Sequence, residues 1–420
     1  MEFNENNYKI GIFMWYNEQI IPYAENNYKI NKIYCEKYGY NLIKSNLRLC
    51  NERKPHWERI PLLLKYFNDF DYLIWIDADA HFYIDSPPIT NVINTYPEKL
   101  FIFSGDTDTY HTNNNWVINS GFFIVKKCDK SRDILNIWLN NNELYKSQEL
   151  SNPIFGSNNW NDQAVLRLMY SKNIENITDN SIIITYGILQ HFNEDYKLTE
   201  KVFGLINRPF IFHSTNGENM IFKNRVNNTI KYVEKYTSYK YGKFINSNIQ
   251  ISKFVINDIV LEADNQHKKM LVFGLGHDSE LWYNLTNKNT YFVEDNKYYI
   301  DLNKNINKNN IIFYEYKDIN VEKSFKLSHH QIQNFKIPEK LLELGPFDII
   351  LIDGPNGSHS KSPGRLLPIF WSKEYLSHNK TIIYIDDATR NLERKCINTY
   401  FIHNTKQIFN DRLGTIKINI

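Results

Sequence analysis

At residues 72–76 the apolar run Tyr-Leu-Ile-Trp-Ile passes directly into Asp77-Ala78-Asp79-Ala80. A short apolar run of this kind reads as a buried strand, and its carboxyl end is where open α/β sheets hold their ligands. Asp77 and Asp79 are separated by one small residue, so on extended chain both project to the same face. Two hard oxygen donors side by side suit Mg²⁺ or Mn²⁺. The same tripeptide can also do no more than close a turn, and the segments around it have to decide.

Those segments alternate between strand and helix patterns. Apolar runs at 9–16, 100–103, 117–125, 182–186 and 210–213 predict further strands. Helical spacing places Ile60, Leu63, Leu64 and Phe67 on one face of 57–67, and Ala164, Val165, Leu168 and Met169 on one face of 162–169. The alternation predicts an α/β fold. From 238 to 252 a Tyr-, Lys- and Asn-rich stretch loses periodicity, and then a second alternating series begins, with strands at 270–275, 291–293, 311–314, 348–352 and 382–385. This order predicts a doubly wound sheet. A chain of 420 residues exceeds what one core usually serves, so two domains are expected, 1–240 and 241–420.

Charge narrows the partners. The formal net charge is +2, and Lys and Arg are scattered among carboxylates, which argues against nucleic acid and for small or neutral polymeric substrates. Cys35, Cys50, Cys128 and Cys396 form no C-x-x-C pair, so they read as reduced thiols. No signal-like N-terminus or run of 18 apolar residues is present, so no transmembrane anchor and a cytoplasmic location are expected.

In the first half the motifs fall in the order His56-Trp57-Glu58-Arg59-Ile60-Pro61, Asp77-Ala78-Asp79-Ala80, Asn119-Ser120-Gly121, Asn161-Asp162-Gln163 and Phe212-His213-Ser214. This set resembles the retaining α-galactosyl- and α-xylosyltransferases of glycosyltransferase family 34, over most of residues 8–235. The resemblance implies a GT-A fold, a nucleotide-sugar donor, UDP-linked, and a glycan acceptor. It further implies that Asp77, Asp79 and His213 hold a divalent metal, that Asn119, Ser120 and Gly121 lie beside the donor sugar, and that Asp162 and Gln163 line the transfer site. A metal between carboxylates and phosphate oxygens stabilises the charge that grows on a departing diphosphate. Asp162 could equally serve as a helix N-cap, and His213 as a strand-end histidine satisfied by backbone. Arg59 replaces the family's usual lysine, and Thr215-Asn216-Gly217 replaces its Gly-Cys after the late histidine.

In the second half, Met270-Leu-Val-Phe-Gly274-Leu-Gly276-His277-Asp278-Ser279 is a strand entering a glycine turn, and the next strand ends in Glu294-Asp295. Such a turn lets backbone approach a nucleotide cofactor, NAD or S-adenosylmethionine. Asp353-Gly-Pro-Asn-Gly357, Pro363-Gly364-Arg365 and Asp386-Asp387-Ala-Thr-Arg390-Asn-Leu-Glu393 follow. Together these resemble the polysaccharide O-methyltransferase family that includes glucuronoxylan 4-O-methyltransferases, over roughly 252–400. The resemblance implies a Rossmann-like domain with an S-adenosylmethionine pocket formed by Gly274, Gly276, His277, Asp278 and Glu294. Asp353 and Asp387, at the ends of neighbouring strands, are candidates to activate a sugar hydroxyl, directly or through a metal. Arg365 either steers an acidic sugar or pairs with a carboxylate. The sum is a bifunctional glycan-synthesis enzyme; the competing expectation makes the second domain a non-catalytic glycan-binding or scaffold module, and a third makes the first domain a nucleotide-sugar hydrolase or self-glucosylating initiator.

Overall fold

The alternating elements gather into two units, Met1–Lys231 and Tyr232–Ile420. The computed structural model describes residues 8–106, 117–152, 155, 161–193, 196–198, 201–205, 207–214, 221–264, 267–409 and 414–420. Thr215-Asn216-Gly217 lies outside them.

The first unit contains strands β1 (Ile10–Trp15), β2 (Asn41–Ser45), β3 (Tyr72–Ile76), β4 (Ala80–Phe82), β5 (Phe101–Gly105), β6 (Ile118–Lys126), β7 (Ser181–Ile184), β8 (Gln190–His191) and β9 (Ile211–His213). Six form a sheet in the order β2-β1-β3-β6-β5-β7, in which β6 runs antiparallel to both β3 and β5. Successive side chains of a strand point to opposite faces, and here both faces are buried. Phe13, Trp15, Leu73, Trp75, Phe123 and Val125 enter one core, while Ile12, Met14, Ile74, Ile76, Phe122 and Ile124 enter the other. Each such side chain contributes about 1.5–3 kcal/mol on full burial.

Beyond Ile76 the chain turns, Ala80 donating its N–H to the Asp77 carbonyl at 3.0 Å, and returns as β4. This strand pairs antiparallel with β9 in a small sheet of order β4-β9-β8, with Ala80 opposite His213. That register brings His213 to Asp79 across 134 residues of sequence. The helix expected at 57–67 begins as a 3₁₀ turn, Pro55–Glu58, and continues as Arg59–Lys65.

Regular structure continues into the aperiodic stretch at 238–252. A helix, Ile221–Tyr241, runs into it, and the division between the units falls inside that helix. Tyrosines that fail an apolar-periodicity test are held by polar contacts: Tyr236 and Tyr241 donate their hydroxyls to Asp264, the latter at 2.9 Å, and Lys240 Nζ joins at 2.6 Å.

The second unit adds β10 (Met270–Phe273), β11 (Thr290–Glu294), β12 (Ile311–Phe313), β13 (Phe347–Ile352), β14 (Ser377–Ile385), β15 (Thr405–Phe409) and β16 (Thr415–Asn419). Their order is β12-β11-β10-β13-β14-β16-β15, with the first five parallel and β16 antiparallel to both neighbours. The winding reverses between β10 and β13, which makes their carboxyl ends the crevice of the sheet. Among the described residues no helix of the chain is long and apolar enough to cross a membrane.

The last strand is pinned from inside. Lys417, 4% exposed, reaches Asp258 at 2.8 Å and Glu262 at 2.6 Å on the helix Lys253–Ala263, and Tyr384 donates to Asp258 at 2.6 Å. Removing the ammonium takes a counter-charge from the buried Asp258 and from Glu262. Lys417→Met is therefore expected to destabilise the second unit by about 3–5 kcal/mol, read as an earlier transition in urea unfolding.

Candidate functional site

In the first unit, a cavity of about 490 Å³ opens at the carboxyl end of β3 and is lined by Asp77, Asp79, Asn119, Asp162, Gln163 and His213, among others. One ligand atom from each of Asp77, Asp79 and His213 lies within 4.8 Å of the others, and no other such group of His, Cys, Asp and Glu occurs among the described residues. Asp77 is fixed by its N–H bond to the Gly121 carbonyl at 2.8 Å and by Trp75 Nε1, which donates to Oδ1 at 2.6 Å. Asp79 Oδ1 faces His213 Nε2 at 3.2 Å, and its Oδ2 meets Arg225 Nη2 at 2.5 Å. His213 is satisfied by side chains rather than backbone, since Nδ1 faces Gln190 Oε1 at 2.9 Å.

The glycine of the Asn119-Ser120-Gly121 motif has a steric reason. A Cβ at Gly121 would collide with the His213 ring and stand 2.9 Å from Asn119 Oδ1. Asn119 in turn accepts the Gly121 N–H at 2.8 Å. The backbone N–H of Ser120 donates to Gln163 Oε1 at 2.8 Å, which ties the β6 strand to the helix Asp162–Ser171. That helix is capped by Asn161, whose side chain accepts from Ala164 N at 2.7 Å, so Asp162 is not the cap.

Asp162 instead pairs with Arg59 Nε at 3.0 Å, and Arg59 Nη2 reaches Asp77 Oδ1 at 3.3 Å. Arg59 Nη1 also donates to Ser120, to its carbonyl and, at 2.7 Å, to its hydroxyl. Burial pushes the Asp162 carboxyl up to about 6 against the pull of Arg59, with Asp77 adding to the rise. Arg59, Arg225 and Gln190 are the residues that strand-end reasoning overlooked as parts of this site; a basic residue in the Trp57 motif was the only visible signal, for Arg59.

Burial opposes charge on both members of the His213–Asp79 pair, and their mutual attraction outweighs it. His213 is raised by the Asp79 charge and hydrogen bond, and Asp79 is lowered by His213 and Arg225. With Nδ1 facing an amide oxygen, the Nε2 proton occupies the space between imidazole and carboxylates. Two carboxylates and an imidazole nitrogen, all converging and fixed from behind, are a donor set that fits a divalent cation in the proton's place.

In the second unit the glycines meet each other. Gly274 has φ +108°, and a Cβ at Gly354 would lie 2.8 Å from the Gly274 Cα, so the turns after β10 and β13 touch backbone to backbone. Glu294 braces this turn, accepting from Leu275 N at 2.6 Å and Asn296 N at 2.8 Å; burial pushes it up to about 7 in spite of those bonds. Asp278 is buried and accepts from Trp282 Nε1 at 2.8 Å, Gly276 N donates to Ser279 Oγ at 2.8 Å, and His277 is exposed.

Arg365 settles into a pairing role. It donates to the backbone carbonyls of Asp353 and Asp386 and, at 2.7 Å, to Asp387 Oδ2, which Arg390 also contacts at 2.7 Å. Asp387 is thus tied to two guanidiniums. Asp353 keeps 37% of its side chain exposed; loss of hydration raises it, Arg365 opposes this, and Asp278 and Asp386 raise it further. Arg365 Nη2 lies between the two carboxylates, 3.5 Å from Asp353 Oδ1 and 2.7 Å from Asp387 Oδ2.

No family model matches the chain. Xyloglucan 6-xylosyltransferase 4 of Arabidopsis thaliana is 29% identical over 121 residues, which cover 26% of this chain and 22% of that protein. Protein IRX15-LIKE of Arabidopsis thaliana is 27% identical over 170 residues, covering 34% of this chain and 54% of that protein. The chain therefore spans only between about a quarter and about half the length of these relatives. Among solved structures, a glycosyltransferase involved in the glycosylation of the major capsid of PBCV-1 aligns at 14% identity and a TM-score of 0.39, covering 53% of this chain and 98% of that one. The chain is similar to glycosyltransferases.

The ion pair at the first site has a pH signature. His213, raised above its ordinary 6.5, contributes stability that is complete below that value and is lost as pH rises through its folded pKa; Asp79, lowered below its ordinary 3.8, contributes stability present above that value and lost on acidification. In metal-free protein the thermal midpoint of wild type relative to Asp79→Asn is expected to fall as pH climbs from neutral into the alkaline range, measured by circular dichroism.

Proposed function

We propose that the first unit transfers a sugar from a nucleotide-sugar donor to a glycan acceptor with retention and with a divalent cation, and that the second unit methylates a sugar hydroxyl using S-adenosylmethionine. The observation that carries the first half is the convergence of Asp77, Asp79 and His213 within 4.8 Å on the cavity at the carboxyl end of β3. A Mn²⁺ or Mg²⁺ ion held by those three residues would neutralise charge developing on the departing diphosphate.

The chain's own groups do the rest. Arg59, Arg225 and Lys54 bring positive charge to the same cavity, where a diphosphate would otherwise face only carboxylates. Gln163, its oxygen held by the Ser120 N–H, has its amide nitrogen left as a donor for a sugar hydroxyl. Asp162, locked by Arg59, offers a fixed carboxylate beside the place of transfer. Similarity to a xyloglucan xylosyltransferase supports a pentose or hexose donor and a polysaccharide acceptor.

For the second unit the support is the reversal of winding between β10 and β13, at whose carboxyl ends the turns of Gly274 and Gly354 pack backbone to backbone. Gly274, Gly276, Asp278 and Glu294 would hold S-adenosylmethionine, which supplies an activated methyl group when bound. Asp353 is the carboxylate best placed to accept the hydroxyl proton, because Asp387 is committed to Arg365 and Arg390. The unit joined to the glycosyltransferase in one chain would meet nascent product at raised local concentration.

Purified protein with Mn²⁺ and a panel of nucleotide sugars should release nucleoside diphosphate, chelator should abolish the release, and sugar should be recovered on an added glycan. Asp79→Ala is expected to lower this rate by roughly 10²–10³-fold or more while leaving methyl transfer from S-adenosylmethionine intact. Free sugar as the sole product would make the first unit a hydrolase. Failure of calorimetry to detect S-adenosylmethionine binding would make the second a non-catalytic glycan-binding or scaffold module.

A further inference from the structure

The geometry points to Gln190 as a positioning residue that holds His213 in the orientation needed to receive a divalent cation, an inference that rests on the cation-dependent reading above. Gln190 sits on β8, a strand of two residues laid parallel to β9, with Gln190 opposite Ile211. Ile211 and His213 are two apart and share a face, so the Gln190 side chain emerges on the side from which the imidazole also emerges. The amide oxygen lies 2.9 Å from His213 Nδ1.

A fully buried amide is an expensive choice at this place. Gln190 is 0% exposed, and among the described residues its Nε2 has no hydrogen-bond partner. Leaving such a donor unmet costs about 1–3 kcal/mol, a cost that an aliphatic side chain of the same length would avoid. What the amide contributes in return is a single acceptor aimed at Nδ1. An acceptor there keeps a ring proton on Nδ1, so that it is Nε2, 3.2 Å from Asp79 Oδ1 and 3.9 Å from Asp77 Oδ2, that exchanges its proton for a cation.

Two other contacts restrict the ring without selecting a tautomer. Phe192 meets His213 edge-on, with centroids 5.5 Å apart and planes at 79°, and Gly121 leaves no room for a side chain against Cε1. Neither carries a polar atom that distinguishes Nδ1 from Nε2. That selection falls to Gln190.

The test is a titration of the full chain with Mn²⁺ alone, without donor, following the free-ion signal by electron paramagnetic resonance. Wild type, Gln190→Leu, Gln190→Glu and His213→Asn are compared, with each variant's metal-free melting curve recorded. Gln190→Leu is expected to weaken Mn²⁺ binding by about 10–100-fold, and Gln190→Glu, which keeps an acceptor at Nδ1, to bind at least as tightly as wild type. Equal affinity of Gln190→Leu and wild type, with His213→Asn weakened, overturns the positioning role and leaves the cation reading standing. Equal weakening in the Leu and Glu variants assigns Gln190 to packing and likewise overturns it. Absence of Mn²⁺ binding to wild type removes the cation reading itself, and the inference with it.

Discussion

One buried guanidinium holds the first site together. Arg59, 5% exposed, joins the end of β3 through Asp77, the start of the helix Asp162–Ser171 through Asp162, and the β6 motif through Ser120. Burying an arginine costs several kcal/mol, and two carboxylates with a carbonyl and a hydroxyl offset that cost only when all are in place. The cavity floor is therefore cooperative: each of its parts is positioned by a cation that none of the others could leave unpaired. A lysine, with a point charge in place of a planar fork, could not span the same set of partners.

The second unit solves the same problem with the same residue type. Arg365, 3% exposed, takes carbonyls from the ends of β13 and β14 and the Asp387 carboxylate, and so fixes the crevice edge of a parallel sheet. Strand ends have unsatisfied carbonyls where the ladder stops, and an arginine with five donors in a rigid fork can close several at once. In both units this clamp lies just behind the residues proposed to do chemistry, which makes it part of their preorganisation rather than of their reactivity.

The buried strands were legible because short apolar runs such as 72–76 and 349–352 have no polar side to offer, and the acids that follow them were legible because they break those runs. The edge strand β15 escaped notice since Thr405–Phe409 is largely exposed and Lys- and Gln-bearing, without an apolar signal. Neighbouring Asn161 and Asp162 are both good cap residues, and local sequence cannot choose between them; the choice of Asn161 frees Asp162 for Arg59. Arg225 and Gln190 were invisible for a different reason. The partner of Gln190 is set by the register of β8 and β9, and that of Arg225 by where the helix Ile221–Tyr241 meets Asp79; no local pattern encodes either contact.

Because β3 is buried on both faces, its alternation carries information that hydrophobicity does not protect. Inserting or deleting one residue within Tyr72–Ile76 would still present apolar side chains to both cores, so the strand could form after repacking of Trp75 and its neighbours. Its carboxyl end, however, would emerge with the opposite parity, and Asp77 and Asp79 would turn away from His213. The strand is thus tolerant as a structural member and intolerant as a ruler. Indels there should separate folding from function more cleanly than any substitution in the site.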